Sequence, residues 1–258
     1  MPEGDTIRWA ANRIRPVLEG QAPDEIRTPH PRHGLDRWPE RLAGQVVTSV
    51  DTHGKHLFLR FEGGLVLHSH LGMTGAWGVY GPDRRWGRSP SRAWLVLRCQ
   101  AREVVEFDGP LLELMTEGRV RFDQRLSGLG PDVLAAEFDV ERFLLRLRAD
   151  DPTRPIGDAL LDQRTIAGIG NIWKAEGCWE AAIGPWRAVR DVSDIEVVAI
   201  VESTRPRMLR SALEGPRSIE PRVYRRAGRP CPRCGAPISS RGQGDANRRT
   251  YWCPGCQL

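Results

Sequence analysis

Two stretches of this chain place reactive or coordinating groups where they could do chemistry. One is the start, Met1-Pro2-Glu3-Gly4-Asp5-Thr6, and the other is a pair of Cys-x2-Cys motifs near the far end. A methionine followed by proline is normally trimmed, which leaves Pro2 with a free secondary amine. An α-amino group titrates near about 7.7–8.0, so roughly a tenth of it is neutral at pH 7, against a few parts in ten thousand for a lysine. A neutral amine attacks carbonyl-like carbon and forms a Schiff base. From a secondary amine that adduct is an iminium ion, which stays cationic and draws electrons. Glu3 stands beside it as a candidate proton carrier. A Met-Pro start is also common in chains where it does nothing, and these residues alone do not decide.

Cys231 and Cys234 form one knuckle and Cys253 and Cys256 the other, with 18 residues between them. That spacing falls in the zinc-ribbon range. Four thiolates fill a tetrahedral shell, so one structural Zn2+ with no open position is expected. Two disulfides are the alternative, which a cytosolic setting disfavours. Cys99 and Cys178 lie in apolar stretches and are expected in the core.

At 258 residues, 28% charged and 40% hydrophobic, the composition is that of a soluble globular protein of one large or two modest domains. No apolar run approaches the ~18 residues of a membrane helix, and the polar, acidic start is unlike a signal peptide. A cytoplasmic protein without a membrane partner is expected. The net charge of +5 permits a polyanionic partner. Lys55 and Lys174 are the two lysines and every other basic residue is arginine. A GC-rich genome explains the bias, and a lysine kept against it gains weight as an amine.

These groups need elements to position them. Ile7, Ala10, Ala11, Ile14, Val17 and Leu18 recur at helical spacing and predict an amphipathic helix over 6–18. Residues 46–50, 56–61, 65–68, 94–98 and 104–107 have β character, with Gly63-Gly64 marking a hairpin. Residues 82–92 form a basic, Gly/Pro-rich loop. Short strands so spaced predict a sandwich or barrel. Beyond Gly128-Leu129-Gly130-Pro131 the pattern turns helical, over 139–147, 156–161, 171–179 and 194–213. A Pro/Arg-rich stretch, 215–230, then leads to the cysteines.

Leu161-Asp162-Gln163 and Gly168-Ile169-Gly170-Asn171 form the sharpest internal motif. Glycines ahead of a new helix predict a tight turn with N–H groups available to phosphate. Asn171 could cap that helix or reach a phosphate oxygen itself. A plain helix–turn–helix connection remains equally open.

Met1-Pro2-Glu3-Gly4, Gly54-Lys55-His56, His70-Leu71-Gly72-Met73-Thr74-Gly75, the Leu161 to Asn171 motif, and Arg248-Arg249-Thr250-Tyr251-Trp252-Cys253 occur in one order across nearly the whole chain. Together they resemble the endonuclease VIII / formamidopyrimidine-DNA glycosylase family. Gly4-Asp5-Thr6 after Pro-Glu is most similar to the actinobacterial endonuclease VIII paralogues. The resemblance implies a multidomain α+β fold. An N-terminal β-sandwich with flanking helices would span 1–125, a helix–two-turn–helix domain 131–215, and a zinc-ribbon finger 222–258. It implies a bifunctional DNA glycosylase/AP lyase acting on damaged DNA, duplex or single-stranded, associated with the bacterial nucleoid; a monomer is expected because no oligomerisation surface is legible in the sequence. Pro2 would attack the sugar C1′ and Glu3 would move protons, with β- and then δ-elimination cutting the strand. Lys55 would contact phosphate beside the lesion. Asn171, with the Gly170 turn, and Arg248 would grip phosphate, Arg249 being the adjacent candidate. Met73 would fill the void left by the extruded base, although Leu71-Gly72-Met73 would suit a core too. Lys174 reads as a solvated surface lysine, and His68 and His70 as packing residues rather than ligands.

The chain also departs from the family pattern. Phe107-Asp108-Gly109-Pro110-Leu111-Leu112 stands where purine-directed members carry Arg-Arg-Phe, leaving Leu111 or Leu112 as stand-ins. Thr6 replaces a frequent glutamate, and the 213–224 segment is short. These departures point to oxidised pyrimidines. The alternatives are oxidised purines by the same chemistry, or a non-catalytic zinc-ribbon protein that binds damaged DNA.

Overall fold

The computed structural model describes residues 2–257. The expected trimming of Met1 therefore falls outside the described residues. The chain divides into two compact units, one of Pro2 and Thr6–Ser127, the other of Glu3–Asp5 together with the chain from Gly128 onward.

In the first unit, helix α1 (Gly4–Leu18) is followed by β1 (Glu25–Arg27), α2 (Trp38–Leu42), β2 (Val47–His53), β3 (His56–Phe61), β4 (Leu65–His70), β5 (Ala76–Tyr80), β6 (Ala93–Cys99), β7 (Arg102–Phe107), β8 (Leu111–Thr116), α3 (Glu117–Phe122) and α4 (Gln124–Ser127). Two antiparallel four-stranded sheets result, in the orders β1-β6-β7-β5 and β2-β3-β4-β8. Alternate residues of a strand face one side, so Leu57 and Leu59 of β3 meet Leu95 and Leu97 of β6 in a core that Ile7, Ile14 and Leu18 of α1 complete. This is the expected sandwich with a helix against it. Strands β1, β5 and β8 were not foreseen. Gly78 lies inside β5, opposite Val105, and β8 is built by its full-length pairing with β4, from Leu65↔Thr116 to His70↔Leu111. That pairing also carries β4 beyond His68 to His70.

The second unit holds α5 (Val140–Arg148), α6 (Ile156–Ala159), α7 (Asn171–Glu180), α8 (Asp194–Glu214) and the hairpin of β9 (Ser239–Gln243) with β10 (Arg248–Trp252). Asp139 caps α5 by accepting the Arg142 N–H at 2.9 Å. Ser193 and Glu196 form a reciprocal capping box on α8. Phe143, Leu147, Ile156, Ile169, Ile200 and Met208 make one core. A smaller one joins Ala175 and Trp179 of α7 to Val223, Ile238 and Cys253. Cys99 and Cys178 are buried, as their surroundings suggested.

Candidate active site

The turn ahead of α7 is held by its own side chains. Gln163 donates to the carbonyls of Leu161 and Ile169, both at 2.9 Å, and accepts the Gly168 N–H at 3.0 Å. Asp162 accepts the Arg164 N–H at 2.9 Å. Gly168 has φ 106°, a region that favours glycine, and its carbonyl accepts the Gly4 N–H at 2.9 Å. The Leu-Asp-Gln and Gly-Ile-Gly halves of the motif are therefore one hydrogen-bonded unit.

Into the N-terminus of α7 this turn brings Glu3, which is only 1% exposed. Its carboxylate accepts the N–H groups of Gly170 (3.0 Å), Ile172 (2.8 Å) and Trp173 (3.2 Å). A helix N-terminus has unpaired donors and favours negative charge, so the arrangement holds the carboxylate rigidly. A side chain at Gly170 would collide with it. The expected phosphate cradle is corrected here: the Gly170 N–H is committed to an internal carboxylate that satisfies the helix end.

Asn171 also differs from expectation. It is the first residue of α7 rather than its cap. Its Nδ2 donates to the Arg249 carbonyl at 2.8 Å, and its buried Oδ1 has no partner among the described residues. The side chain thus ties the helix start to β10. On β10, Thr250 points inward, and Arg248, two residues away, shares its face while Arg249 takes the other. The Arg248 charge reaches the Lys174 site, whereas the exposed Arg249 guanidinium meets Ser240 Oγ at 3.3 Å. The two arginines thus stand on opposite faces of β10.

Lys174 is not a solvated surface residue. It is fully buried, donating to Thr250 Oγ1 and, at 3.2 Å, to Gln243 Oε1. Thr250 donates to the same Gln243 oxygen at 2.8 Å. Burial pushes its pKa down to about 8, against smaller opposing pulls from Cys178, Asp158 and Glu3. Two turns of α7 thus carry a polar face that the ribbon covers, which an amphipathic reading of the helix does not anticipate.

Three further residues escaped the sequence reading. Buried Asp5 accepts the Ser211 hydroxyl. Buried Glu176 accepts the backbone N–H groups of Arg222 (2.8 Å), Val223 (3.0 Å) and Tyr224 (3.0 Å) and pairs with Arg207 at 3.0 Å. Buried Glu106 in β7 has neither oxygen partnered among the described residues. The signal available for the first was an acid two places after Glu3; the other two have none.

In the first unit, Lys55 is half-buried in the two-residue turn between β2 and β3. Burial and then the Lys55 charge lower the His70 pKa. His56 Nδ1 lies 2.8 Å from His68 Nε2, and Phe58 stacks on His68 at 4.9 Å. Burial, then neighbouring positive groups, push His56 down to about 2. Burial likewise takes His68 to about 4. These are packed, neutral rings, as expected for His68 and His70. Met73 is 76% exposed at the tip of the turn after β4, so the core reading of that residue fails. Leu112 is 3% exposed and belongs to the core; as a stand-in wedge it is ruled out, and only half-buried Leu111 lies near the surface.

The four cysteines of the two knuckles converge, their sulfurs all within 4.8 Å of one another. Cys231 and Cys256 sulfurs are 3.8 Å apart and those of Cys234 and Cys253 3.4 Å. A tetrahedral ion with metal–sulfur bonds of about 2.3 Å sets sulfurs roughly 3.8 Å apart, so the quartet fits such an ion. Trp179 Nε1 donates to Cys231 Sγ at 3.3 Å, orienting the thiolate from α7.

The chain thus carries a β-sandwich unit and a helical unit with a four-cysteine finger, and Glu3 is seated on the first turn of α7. Residues 1–125 match the formamidopyrimidine-DNA glycosylase N-terminal domain and residues 129–222 the formamidopyrimidine-DNA glycosylase H2TH domain. A probable endonuclease 8 2 of Streptomyces coelicolor is 40% identical over all of this chain and 94% of its own length. A DNA-(apurinic or apyrimidinic site) lyase of Mycolicibacterium smegmatis is 36% identical over all of this chain and 99% of its own. The Lactococcus lactis formamidopyrimidine DNA glycosylase bound to abasic-site DNA superposes with a TM-score of 0.83 at 25% identity, covering 99% of each chain. The chain belongs to the endonuclease VIII / formamidopyrimidine-DNA glycosylase family of DNA-repair enzymes. Its likeness to actinobacterial paralogues, expected from Gly4-Asp5-Thr6, holds over the full sequence.

No helix among the described residues is long and apolar enough to cross a membrane.

Proposed function

We propose that this protein removes oxidised pyrimidines from DNA and then cuts the strand on both sides, with Pro2 as nucleophile after loss of Met1. The observation that carries the reading is the seating of Glu3, adjacent to Pro2, on three backbone donors of α7. In the reaction, the Pro2 nitrogen lone pair bonds to C1′ and the base leaves with the glycosidic electron pair, taking up a proton. The ring oxygen is protonated, the C1′–O4′ bond opens, and an iminium ion remains. Glu3 takes the proton that the Pro2 nitrogen sheds on bonding, delivers it to the ring oxygen, and then removes one from C2′, which the iminium acidifies. Loss of the 3′-phosphate is the β-elimination and loss of the 5′-phosphate the δ-elimination, after which water frees Pro2.

Lys55, Asn171 and Arg248 hold the backbone phosphates around the lesion, contacts that position the duplex without reading sequence. Met73 occupies the gap left in the stack. The cysteine quartet takes one Zn2+, whose contribution is to hold the finger that presents Arg248. The absent Arg-Arg-Phe stretch and the short 213–224 segment favour pyrimidine over purine lesions, and the protein works as a monomer in the bacterial cytoplasm, on the nucleoid.

Borohydride trapping tests this directly. A thymine-glycol duplex should cross-link to the protein faster than an 8-oxoguanine duplex, and Pro2→Gly should abolish trapping. Equal trapping by Pro2→Gly, or a mature protein that keeps Met1 and still cuts DNA, would overturn the mechanism. Preferential trapping of 8-oxoguanine would overturn the substrate class alone.

A further inference from the structure

The turn that carries Met73 is braced from a neighbouring loop. Its own closure is one backbone bond, Gly75 N–H to the Leu71 carbonyl at 2.8 Å. His70 Nδ1 accepts the Gly72 N–H at 3.3 Å, and further support comes from Asp108 and from the basic loop of residues 82–92. Arg88 NH1 donates to the Thr74 carbonyl at 2.6 Å and to Asp108 Oδ2 at 2.8 Å. Asp108 is gripped on its other side by Arg92, through Nε at 3.0 Å and NH2 at 2.7 Å. The Asp108 carbonyl accepts the Thr74 hydroxyl at 3.3 Å, and its N–H bonds to the Arg92 carbonyl at 3.1 Å.

The backbone on both sides is committed to unusual geometry. Asp108 has φ 51° and Gly72 φ 53°, a region that non-glycine residues occupy at a cost and only when surroundings fix it. Pro110 packs so closely on Gly72 that a Cβ there would lie 2.6 Å from the proline ring. The strained Asp108 and the glycine turn at Gly72 are thus held together, with the Arg88 guanidinium bridging Asp108 and Thr74.

We infer that Arg88, through Asp108 and the Thr74 carbonyl, is a positioning residue that sets where the Met73 tip stands when it enters the base stack. The inference rests on the reading of Met73 as the void-filling residue. A wedge acts only where there is a stack to fill, and displacing a functional group by about 1 Å can lower a rate as much as ~100-fold. Arg88 therefore matters for a duplex lesion and not for a lesion in single-stranded DNA.

The test is the ratio of duplex to single-strand excision rates for thymine glycol, with 2-aminopurine fluorescence beside the lesion reporting stack opening. Arg88→Ala should lower the ratio at least tenfold and delay the fluorescence rise. Asp108→Asn, which keeps a residue tolerant of left-handed backbone and removes the charge, should lower it less, and serves if Arg88→Ala folds poorly. Met73→Ala, measured alongside, should lower the same ratio. A normal ratio in Arg88→Ala and Asp108→Asn beside a lowered one in Met73→Ala overturns the bracing role. Equal loss on both substrates, with a shallower salt dependence, shows a phosphate contact instead and overturns it too. A normal ratio in all three removes the wedge reading and the inference with it.

Discussion

Glu3 and Gly170 lie 167 positions apart in sequence and share a 3.0 Å hydrogen bond that leaves no room for a side chain on the glycine. The proton-carrying group of the proposed reaction is thereby fixed by helix α7 rather than by its own neighbours. Gly170→Ala is expected to displace the carboxylate, lower trapping at least 100-fold, and destabilise the fold by about 1–3 kcal/mol. Single-turnover trapping and a thermal melt measure both. Unchanged trapping would show that the Glu3 position is not needed.

Lys174 gives a pH signature. Its folded pKa of about 8 lies below its ordinary 10.5, so between those values the unfolded chain holds a proton that the native state has released. Stability contributed by this site therefore rises as pH climbs from 8 to 10.5. Denaturant unfolding should show wild type gaining on Lys174→Met by roughly 1–3 kcal/mol over that window. Parallel curves would place the ammonium in solvent.

Glu106 behaves oppositely. Burial, with the Asp108 charge second, pushes its pKa up to about 8 from 4.5. Between these values the native state keeps a proton that the unfolded chain has lost, so the site's contribution falls as pH rises from 4.5 to 8. Glu106→Gln should match wild type near pH 5 and exceed it by about 1–3 kcal/mol at pH 9. A variant less stable at pH 9 would mean that the carboxylate has a partner.

Removal of the Zn2+ proposed for the cysteine quartet should unfasten the finger. Because Trp179 donates to Cys231 Sγ and the Arg233 guanidinium lies 4.4 Å from its ring, chelation should change tryptophan emission. Lesion-duplex binding should fall at least tenfold in the same titration and return when Zn2+ is restored. Full binding by metal-free protein would separate the finger from DNA contact.

The parts of this molecule that were legible in its sequence are those whose logic is local. The cysteine knuckles, the α1 stripe and the glycine turn carry their geometry in a few consecutive residues. The destination of Glu3 was not legible, because a helix N-terminus accepts any anion and phosphate was the more obvious candidate. Lys174 misled for a related reason: in Trp173-Lys174-Ala175-Glu176 nothing marks the charged pair as buried, and only the arrival of β9, β10 and residues 222–224 makes them so. Strand β8 likewise exists through its partner β4. The Met73 turn could be placed, but its contacts with Arg88 and Asp108 could not, since these residues are 14 to 34 positions from Thr74 in sequence.

Helix α7 holds Glu3 at its first turn, Thr250 and Gln243 through Lys174, the 222–224 backbone through Glu176, and Cys231 through Trp179. The finger is consequently no detachable module. A chimera grafting a relative's ribbon onto this scaffold would have to import residues 174, 176 and 179 along with it.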